Sequence, residues 1–344
     1  MSEITVIMPA YNSEKYITEA IESIRSQTFT DWNMLIINEF GSNDKTVAIV
    51  REYERKDNRI QLIQNQQKLG LADSLNKGIK AATGKYIARM DADDISHPER
   101  FQKQWKYLEE HEDVIVLGTA QHHFGPNTDG FHRPATEEGQ LKANLLFMCD
   151  VCHSTVMMRR EKIIENNLFY DAAFFAEDYE LWTRVLSYGT IANLPEVLGE
   201  YRWGTGNITK SKKRLLAKES GKLIAKNLNQ HLRIELSEEE AALMNGWLNP
   251  CMAIAHRTRN LKKIKEILER VYNQNQKIQY VGEEQILRVI GAKWRWDKYL
   301  EPITEERDEA SLKDIFEYQG YARLLKRILN ALIRKITIGR KNKC

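Results

Sequence analysis

Lys85 to Arg100 reads KYIARMDADDISHPER. Tyr86, Ile87, Ala88 and Met90 form a short, mostly apolar run of the kind that makes a strand buried on both faces. Asp91, Asp93 and Asp94 follow at its end, and Ser96-His97-Pro98 opens a helix at Pro98. Three carboxylates this close repel one another unless a cation or a hydrogen-bonding ligand lies among them. Hard divalent ions such as magnesium or manganese take oxygen ligands and keep positions open for phosphate oxygens. An acidic pair at a strand's C-terminal end therefore suits a metal–diphosphate complex. The alternative is an acidic turn that caps the next helix, and the spacing alone does not separate the two.

Upstream, Ile4 to Met8 is a β-branched run ended by Pro9, with Pro9-Ala10-Tyr11-Asn12 as a turn. Ile17, Ala20, Ile21 and Ile24 then recur at helical spacing, with Ser13 placed to cap the helix. A second strand at Met34 to Ile37 leads into Asn38-Glu39-Phe40-Gly41-Ser42-Asn43-Asp44 and a helix from Lys45 to Arg55. A third strand at Ile60 to Ile63, a polar loop from Asn65 to Gly70 and a helix at Leu71 to Ala82 bring the chain back to Lys85. Strand alternating with helix through short connections predicts a mainly parallel sheet with right-handed crossovers, whose strand ends share one edge. Pro9 to Asn12, Glu39 to Ser42 and Asp91 to Asp94 should converge on that edge, where ligands of such sheets bind.

Downstream, the spacing predicts a helix from Pro98 to His111, a strand at Val114 to Leu117 and a long loop over Ala120 to Gly139. That loop carries His122, His123 and His132 without the fixed spacing of a transition-metal site. A strand at Ser154 to Met158, a helix from Ala176 with its acids in the first turn, and a strand at Val197 to Tyr201 complete the α/β part. The acids Glu177, Asp178 and Glu180 either cap that helix or place one carboxylate where it can take a proton from a bound hydroxyl.

After Gly206 the chain turns Leu- and Lys-rich, with helical periodicity over Leu215 to Asn227, Glu238 to Trp247, Leu261 to Asn273 and Glu283 to Trp294. Its Trp247, Trp294 and Trp296 read as core anchors. The division expected is an α/β domain over 1–205, a helical region over 206–320 and a basic amphipathic tail over 321–344. The tail's helix, from Ala322 to Ile338, sets its apolar residues on one half and most of its cations on the other. It either packs on the helical region or lies on an anionic bilayer surface.

The 344 residues carry a net charge of +3, yet Tyr321 to Cys344 holds eight Lys or Arg and no acid. The basic charge is a property of the tail, so no nucleic-acid footprint is expected. Cys149, Cys152, Cys251 and Cys344 are too scattered for a disulfide framework. Cys149, Cys152 and His153 spell the haem-attachment pattern, but in an apolar stretch where buried thiols are ordinary. With no signal-like N-terminus and no apolar run of about 18 residues, a cytoplasmic protein is expected. The phosphate-binding patterns G-x-G-x-x-G and G-x-x-x-x-G-K-[ST] are both missing. The D-x-D of the haloacid-dehalogenase phosphatases normally follows a first strand, not a fourth.

Taken together, VIMPAYN, FGSNDKT, GLADSLNKGIKAATGKYIARMDADD and AEDYELW resemble, in order, the motifs of the family-2 glycosyltransferases, over Ile4 to Arg202. The resemblance implies a GT-A, Rossmann-like fold with a mainly parallel sheet and an inverting transfer of a sugar from a nucleotide-sugar donor. UDP-sugar would be the donor and Mn2+ or Mg2+ the ion. By the same resemblance Pro9, Tyr11, Asn12, Glu39, Ser42 and Lys68 would contact the nucleotide, Asp91 the ribose or diphosphate, Asp93 the metal, and Asp178 would be the general base. Where many relatives carry two aspartates before Gly-Ser, this chain has Glu39 and Phe40; Glu39 retains a carboxylate for a base N–H, and Phe40 can only pack or stack. The Gln-x-x-Arg-Trp signature of processive synthases is missing, which implies single additions to a saccharide acceptor, lipid-linked and met at the inner face of a membrane. The competing expectation is a non-catalytic sugar-nucleotide-binding or scaffold subunit.

Overall fold

The computed structural model describes residues 2–126, 128–204, 213–244 and 250–294. The expected alternation appears at the N-terminus: β1 (Ile4–Ala10), α1 (Ile17–Arg25), β2 (Trp32–Asn38), α2 (Thr46–Lys56), β3 (Ile60–Gln64), α3 (Leu71–Ala81) and β4 (Tyr86–Arg89). Strands β3, β2, β1 and β4 lie side by side in that order, all parallel. In β1 the side chains alternate between two cores. Ile4, Val6 and Met8 pack with Ile17, Ala20 and Ile21 of α1, while Ile7 packs with Leu75 and Ile79 of α3. Both sheet faces are covered, which is why these strands read as nearly continuous apolar runs.

Beyond β4 the sheet becomes mixed. Strand β8 (Met157–Arg159) runs antiparallel to both β4 and β6 (Val114–Gly125), and β9 (Thr190–Arg202) runs parallel to β6. A short strand the sequence did not announce, β5 (Ile95–Ser96), pairs antiparallel with the end of β9. Where β4, β8 and β6 part, their carbonyls are satisfied by buried side chains of α4 (Arg100–Glu110). Arg100 donates to the carbonyls of Arg89 (2.8 Å) and Val156 (3.2 Å), and Gln104 to those of Leu117 and Thr155 (both 2.8 Å). Burial, with the Arg89 charge nearby, lowers the Arg100 pKa to about 9.

Several sequence expectations shift. The long loop over 120–139 is largely a hairpin: β6 continues to Gly125, and β7 (Thr128–His132) folds back on it. Its His, Gly and Asn content hid the pairing, because β6 is held on both sides here and needs no apolar alternation. Strand 154–158 is a 3-10 turn at His153–Thr155 followed by β8, and helix 98–111 starts at Arg100 after a turn at Pro98. Ser13 does not cap α1, which starts at Ile17; the Ser13 hydroxyl bonds Tyr11, two residues earlier. Helices α5 (Glu138–Leu145), α6 (Arg160–Glu165) and α7 (Glu177–Val185) complete this part.

The chain divides into two compact units, 1–227 and 228–344. The helical periodicity is realised as α8 (Lys213–Leu232), α9 (Glu238–Met244), α10 (Pro250–Ile278) and α11 (Glu283–Trp294). In the second unit Leu232, Leu243, Ile267, Leu268, Val271 and Ile290 are buried. Trp247, Trp296, the side chain of Trp294 and the amphipathic helix at 322–338 lie outside the described residues.

Gly84 sets how closely β4 can enter beside β1. A methyl there would stand 2.7 Å from the Thr5 amide nitrogen and 2.9 Å from the Ile4 carbonyl carbon, both backbone atoms of the central strand. Gly84→Ala is expected to cost about 1–3 kcal/mol in urea unfolding; stability within about 0.5 kcal/mol of wild type would contradict that crowding.

Candidate active site

Pro9 explains why the acidic loop leaves the sheet where it does. The Ile7 carbonyl accepts the Met90 amide (3.1 Å), and Pro9 has no N–H for the next rung toward β4. Asp91 to Asp94 therefore departs as a turn above the sheet edge. On its other side β1 still pairs with β2 through Ala10, which brings the turn after β1 beside the loop after β2.

Those two loops are tied to each other. The Asn12 side chain, on a backbone with φ +48, accepts the Asn43 amide (2.9 Å), and Ser42 Oγ accepts the Asn12 amide (3.1 Å). Ser13 N donates to Thr46 Oγ1 (2.7 Å), and Glu14 N to Asp44 Oδ2 (2.9 Å). Asn12 and Ser42 thus shape this part of the edge by fixing the backbone of both loops.

Glu39 ties two loops of this edge together. It is buried, and its carboxylate accepts the amides of Phe40 (2.7 Å), Leu69 (3.1 Å) and Gly70 (2.5 Å). Gly70, at φ +83, opens α3 in a conformation that L side chains rarely adopt. With its oxygens engaged this way, Glu39 fastens the loop after β3 to the loop after β2. Tyr11 and Phe40 are left 53% and 54% exposed, so Phe40 does not pack and its ring is available for stacking. Lys68 is exposed on the loop ahead of α3.

The acidic side is governed by Arg89, buried in β4, whose guanidinium pairs with Asp91 at 2.5 Å. Asp94 is buried and accepts the Arg202 amide (2.8 Å), while Arg202 Nε donates to the Asp93 carbonyl (2.8 Å). Asp93 is half-buried; burial, reinforced by Asp91, pushes it up to about 6 against the charges of Arg89 and Arg202. Among the described residues no three His, Cys, Asp or Glu side chains converge as a metal cage. The donor set fits a hard divalent ion that takes one or two carboxylate oxygens here and the rest from a diphosphate and water. The histidines of the hairpin are engaged otherwise: His122 and His97 both bond Glu200, at 2.6 and 2.7 Å, and His123 stacks on Trp203.

At the start of α7, Asp178 is half-buried and accepts the Tyr179 amide (2.7 Å). Burial raises its pKa, while that amide and the Arg89 charge work in the opposite direction. Glu177 beside it is buried and, through burial and then Asp178, is pushed up to about 8. His153 lies 4.0 Å from Glu177, but burial and Arg89 hold the imidazole neutral, so the two form no ion pair. The Cys149 thiol, 3.6 Å from Asp178, is held protonated by burial, and Cys149 and Cys152 are free.

Sequence reading missed Arg89 and Arg202. Each ends a strand whose other residues look ordinary, and only the pairing of β9 with β5 brings Arg202 to Asp93 and Asp94.

Residues 5–168 match the family model described as Glycosyl transferase family 2. An uncharacterised glycosyltransferase of Haemophilus influenzae is 36% identical over 60% of this chain and 67% of its own length. The O-antigen biosynthesis glycosyltransferase WbnJ of Escherichia coli is 31% identical over 58% and 79%. Among solved structures, Staphylococcus aureus TarS 1–349 with UDP-GlcNAc superposes with a TM-score of 0.55 at 20% identity, over 85% of this chain and 83% of TarS. The mannosyltransferase PcManGT of Pyrobaculum calidifontis, with GDP-Man and Mn2+, does so at 0.53 and 15%, over 87% and 88%. These two establish the GT-A fold.

Glu177 generates a test of the site's electrostatics. Its pKa in the folded chain stands above the roughly 4.3 of an unfolded glutamate, so the native state binds the proton more tightly. Its contribution to stability is complete below the unfolded value and is lost as pH rises through about 8. Glu177→Gln is expected to gain on wild type in urea unfolding as pH is raised from about 5 to about 8; a difference constant with pH would contradict the assignment.

Proposed function

The chain belongs to glycosyltransferase family 2, and from that premise we propose that it is a metal-dependent inverting enzyme with Asp93 as metal ligand and Asp178 as general base. The observation that carries this reading is the gathering of Asp91, Asp93 and Asp178 into the field of one buried cation, Arg89, at the edge where three parallel strands end. A divalent ion bound at Asp93, with Asp91 beside it, would neutralise charge developing on the leaving diphosphate.

The chain's own groups do the rest. Tyr11 and Phe40 offer exposed rings to the nucleoside, the loops locked by Asn12, Ser42 and Glu39 present backbone donors and acceptors, and Lys68 supplies a cation to the nucleotide. Pro9 frees the loop that carries Asp91 and Asp93. Asp178 takes the proton from an acceptor hydroxyl as that oxygen attacks the anomeric carbon from the face opposite the diphosphate, which inverts the centre. Its raised pKa makes it a stronger base than an exposed aspartate, and the protonated Glu177 keeps a second negative charge away from it.

We take UDP-sugar as the donor. The related WbnJ is named for O-antigen biosynthesis, which supports a saccharide acceptor of a surface polysaccharide, carried on a lipid and extended one sugar at a time. The eight cations of 321–344 support docking of the chain at the anionic inner face of a membrane, where such an acceptor is presented. No helix among the described residues is long and apolar enough to cross a membrane.

Calorimetry with UDP, GDP and dTDP, each with and without Mn2+, tests the donor half. UDP is expected to bind only with the metal, and Asp93→Ala to weaken that binding at least about tenfold; equal binding without metal, or by the variant, would refute it. Turnover over a panel of nucleotide sugars tests the acceptor half: Asp178→Asn should lose at least about a hundredfold in kcat while still binding UDP with Mn2+.

A further inference from the structure

We propose that Glu219, a residue of α8, is a positioning residue for the general base, acting through the backbone at the start of α7. The inference rests on the reading of Asp178 given above. The first amides of a helix have no partners within it, and α7 is preceded by Ala176, whose side chain has nothing to cap them with. Glu219 fixes the chain just as it enters that helix: the amides of Phe175 (2.7 Å) and of the cap residue Ala176 (3.2 Å) both donate to its Oε2. A carboxylate at a helix N-terminus is also favoured by the helix dipole.

The contact is one of a series along a single face of α8. Leu216, Glu219, Leu223, Lys226 and Asn227 recur at helical spacing. Leu223 is fully buried in the cluster that holds Tyr179, Leu181 and Trp182 of α7, and Leu216 packs against it. Lys226 Nζ pairs with Glu180 (2.9 Å), which Arg184 also holds. Asn227 Nδ2 donates to the Leu145 carbonyl (3.0 Å) and to the Tyr179 hydroxyl (3.2 Å), and that hydroxyl donates to the same carbonyl (2.9 Å).

Asp178 therefore sits between two points at which α8 grips α7: the backbone of 175–176 on one side and the side chains of 179 and 180 on the other. Glu219 sets where the helix begins and Lys226 and Asn227 set its rotation. A base must lie within hydrogen-bond reach of the proton it removes, and a shift of about 1 Å can cost on the order of a hundredfold in rate. The donor contacts, on the loops after β1, β2 and β4, are not touched by Glu219. Its loss should thus appear in kcat and not in the donor KM, which a general loss of folding would not produce.

The test uses the full chain and reads nucleoside diphosphate release from the donor selected in the panel. Glu219→Ala is expected to lower kcat about tenfold with the donor KM within about twofold. Glu219→Gln, which keeps an acceptor oxygen for the two amides, should recover most of the loss. In an Asp178→Asn background Glu219→Ala should cost nothing further, because the group it positions is gone. Wild-type kcat in Glu219→Ala, or a loss that adds in full to that of Asp178→Asn, would overturn the role. Amide hydrogen exchange over 175–180 is a second measurement for any variant of low stability: faster exchange in Glu219→Gln than in wild type, with kcat unchanged, also overturns it. Full turnover by Asp178→Asn would instead remove the base assignment, a result separate from any effect of Glu219.

Discussion

Burying a guanidinium at the C-terminal end of β4 is the condition on which the acidic edge depends. Arg89 is almost wholly shielded, and burial works against its charge; Asp91 and Asp94, with Tyr170, offset that and hold it protonated. In return its charge opposes the proton affinity of Asp93 and Asp178, groups on separate elements. Without it, Asp91, Asp93, Asp94, Glu177 and Asp178 would face one another across a poorly solvated space with little to keep any of them ionised. The arrangement leaves the acids unequal. Asp91 is tied to the cation, Asp93 has an affinity for a further positive charge, and Glu177 keeps its proton.

Around that cation the donor half is held by hydrogen bonds from side chains to backbone. Asn12, Ser42, Asp44 and Thr46 join the loops after β1 and β2, and Glu39 joins the loops after β2 and β3. Each strand of a parallel sheet ends independently, so nothing in the sheet itself fixes one loop against the next. These cross-loop bonds do that. They engage polar atoms that the sequence alone would assign to a ligand, and leave the rings of Tyr11 and Phe40 exposed at the same edge.

What the sequence made legible was local. The strand runs, their turns and the acidic loop after β4 are each written within a few residues, so the parallel half of the sheet, its edge and the placement of Asp91, Asp93 and Asp178 could be read from spacing and resemblance. What it hid was long-range. The hairpin β6–β7 looked like a loop because its pairing on two sides replaces the alternation that marks a half-buried strand. Arg202 and Glu219 owe their roles to partners more than forty residues away in sequence, at Asp93 and at Phe175. The tie that Glu39 makes to the Leu69 and Gly70 amides was hidden in the same way, because its partners lie thirty residues further along.

The two halves of the edge differ in where their support comes from. The bonds that tie the loops after β1, β2 and β3 to one another lie within 9–74, inside the segment 5–168 that matches the family model, whereas the acidic loop after β4 is also held by Arg202, beyond that segment. Asp178, the proposed base, lies beyond that segment, and the helix bearing it is held by α8, further along still. Within 9–74 each loop constrains the next, so a change in one disturbs its neighbours. The contact of α7 with α8 lies outside the matched segment, and under the proposed roles a change along the 216–227 face of α8 would shift Asp178 without touching the bonds of Asn12, Ser42 or Glu39.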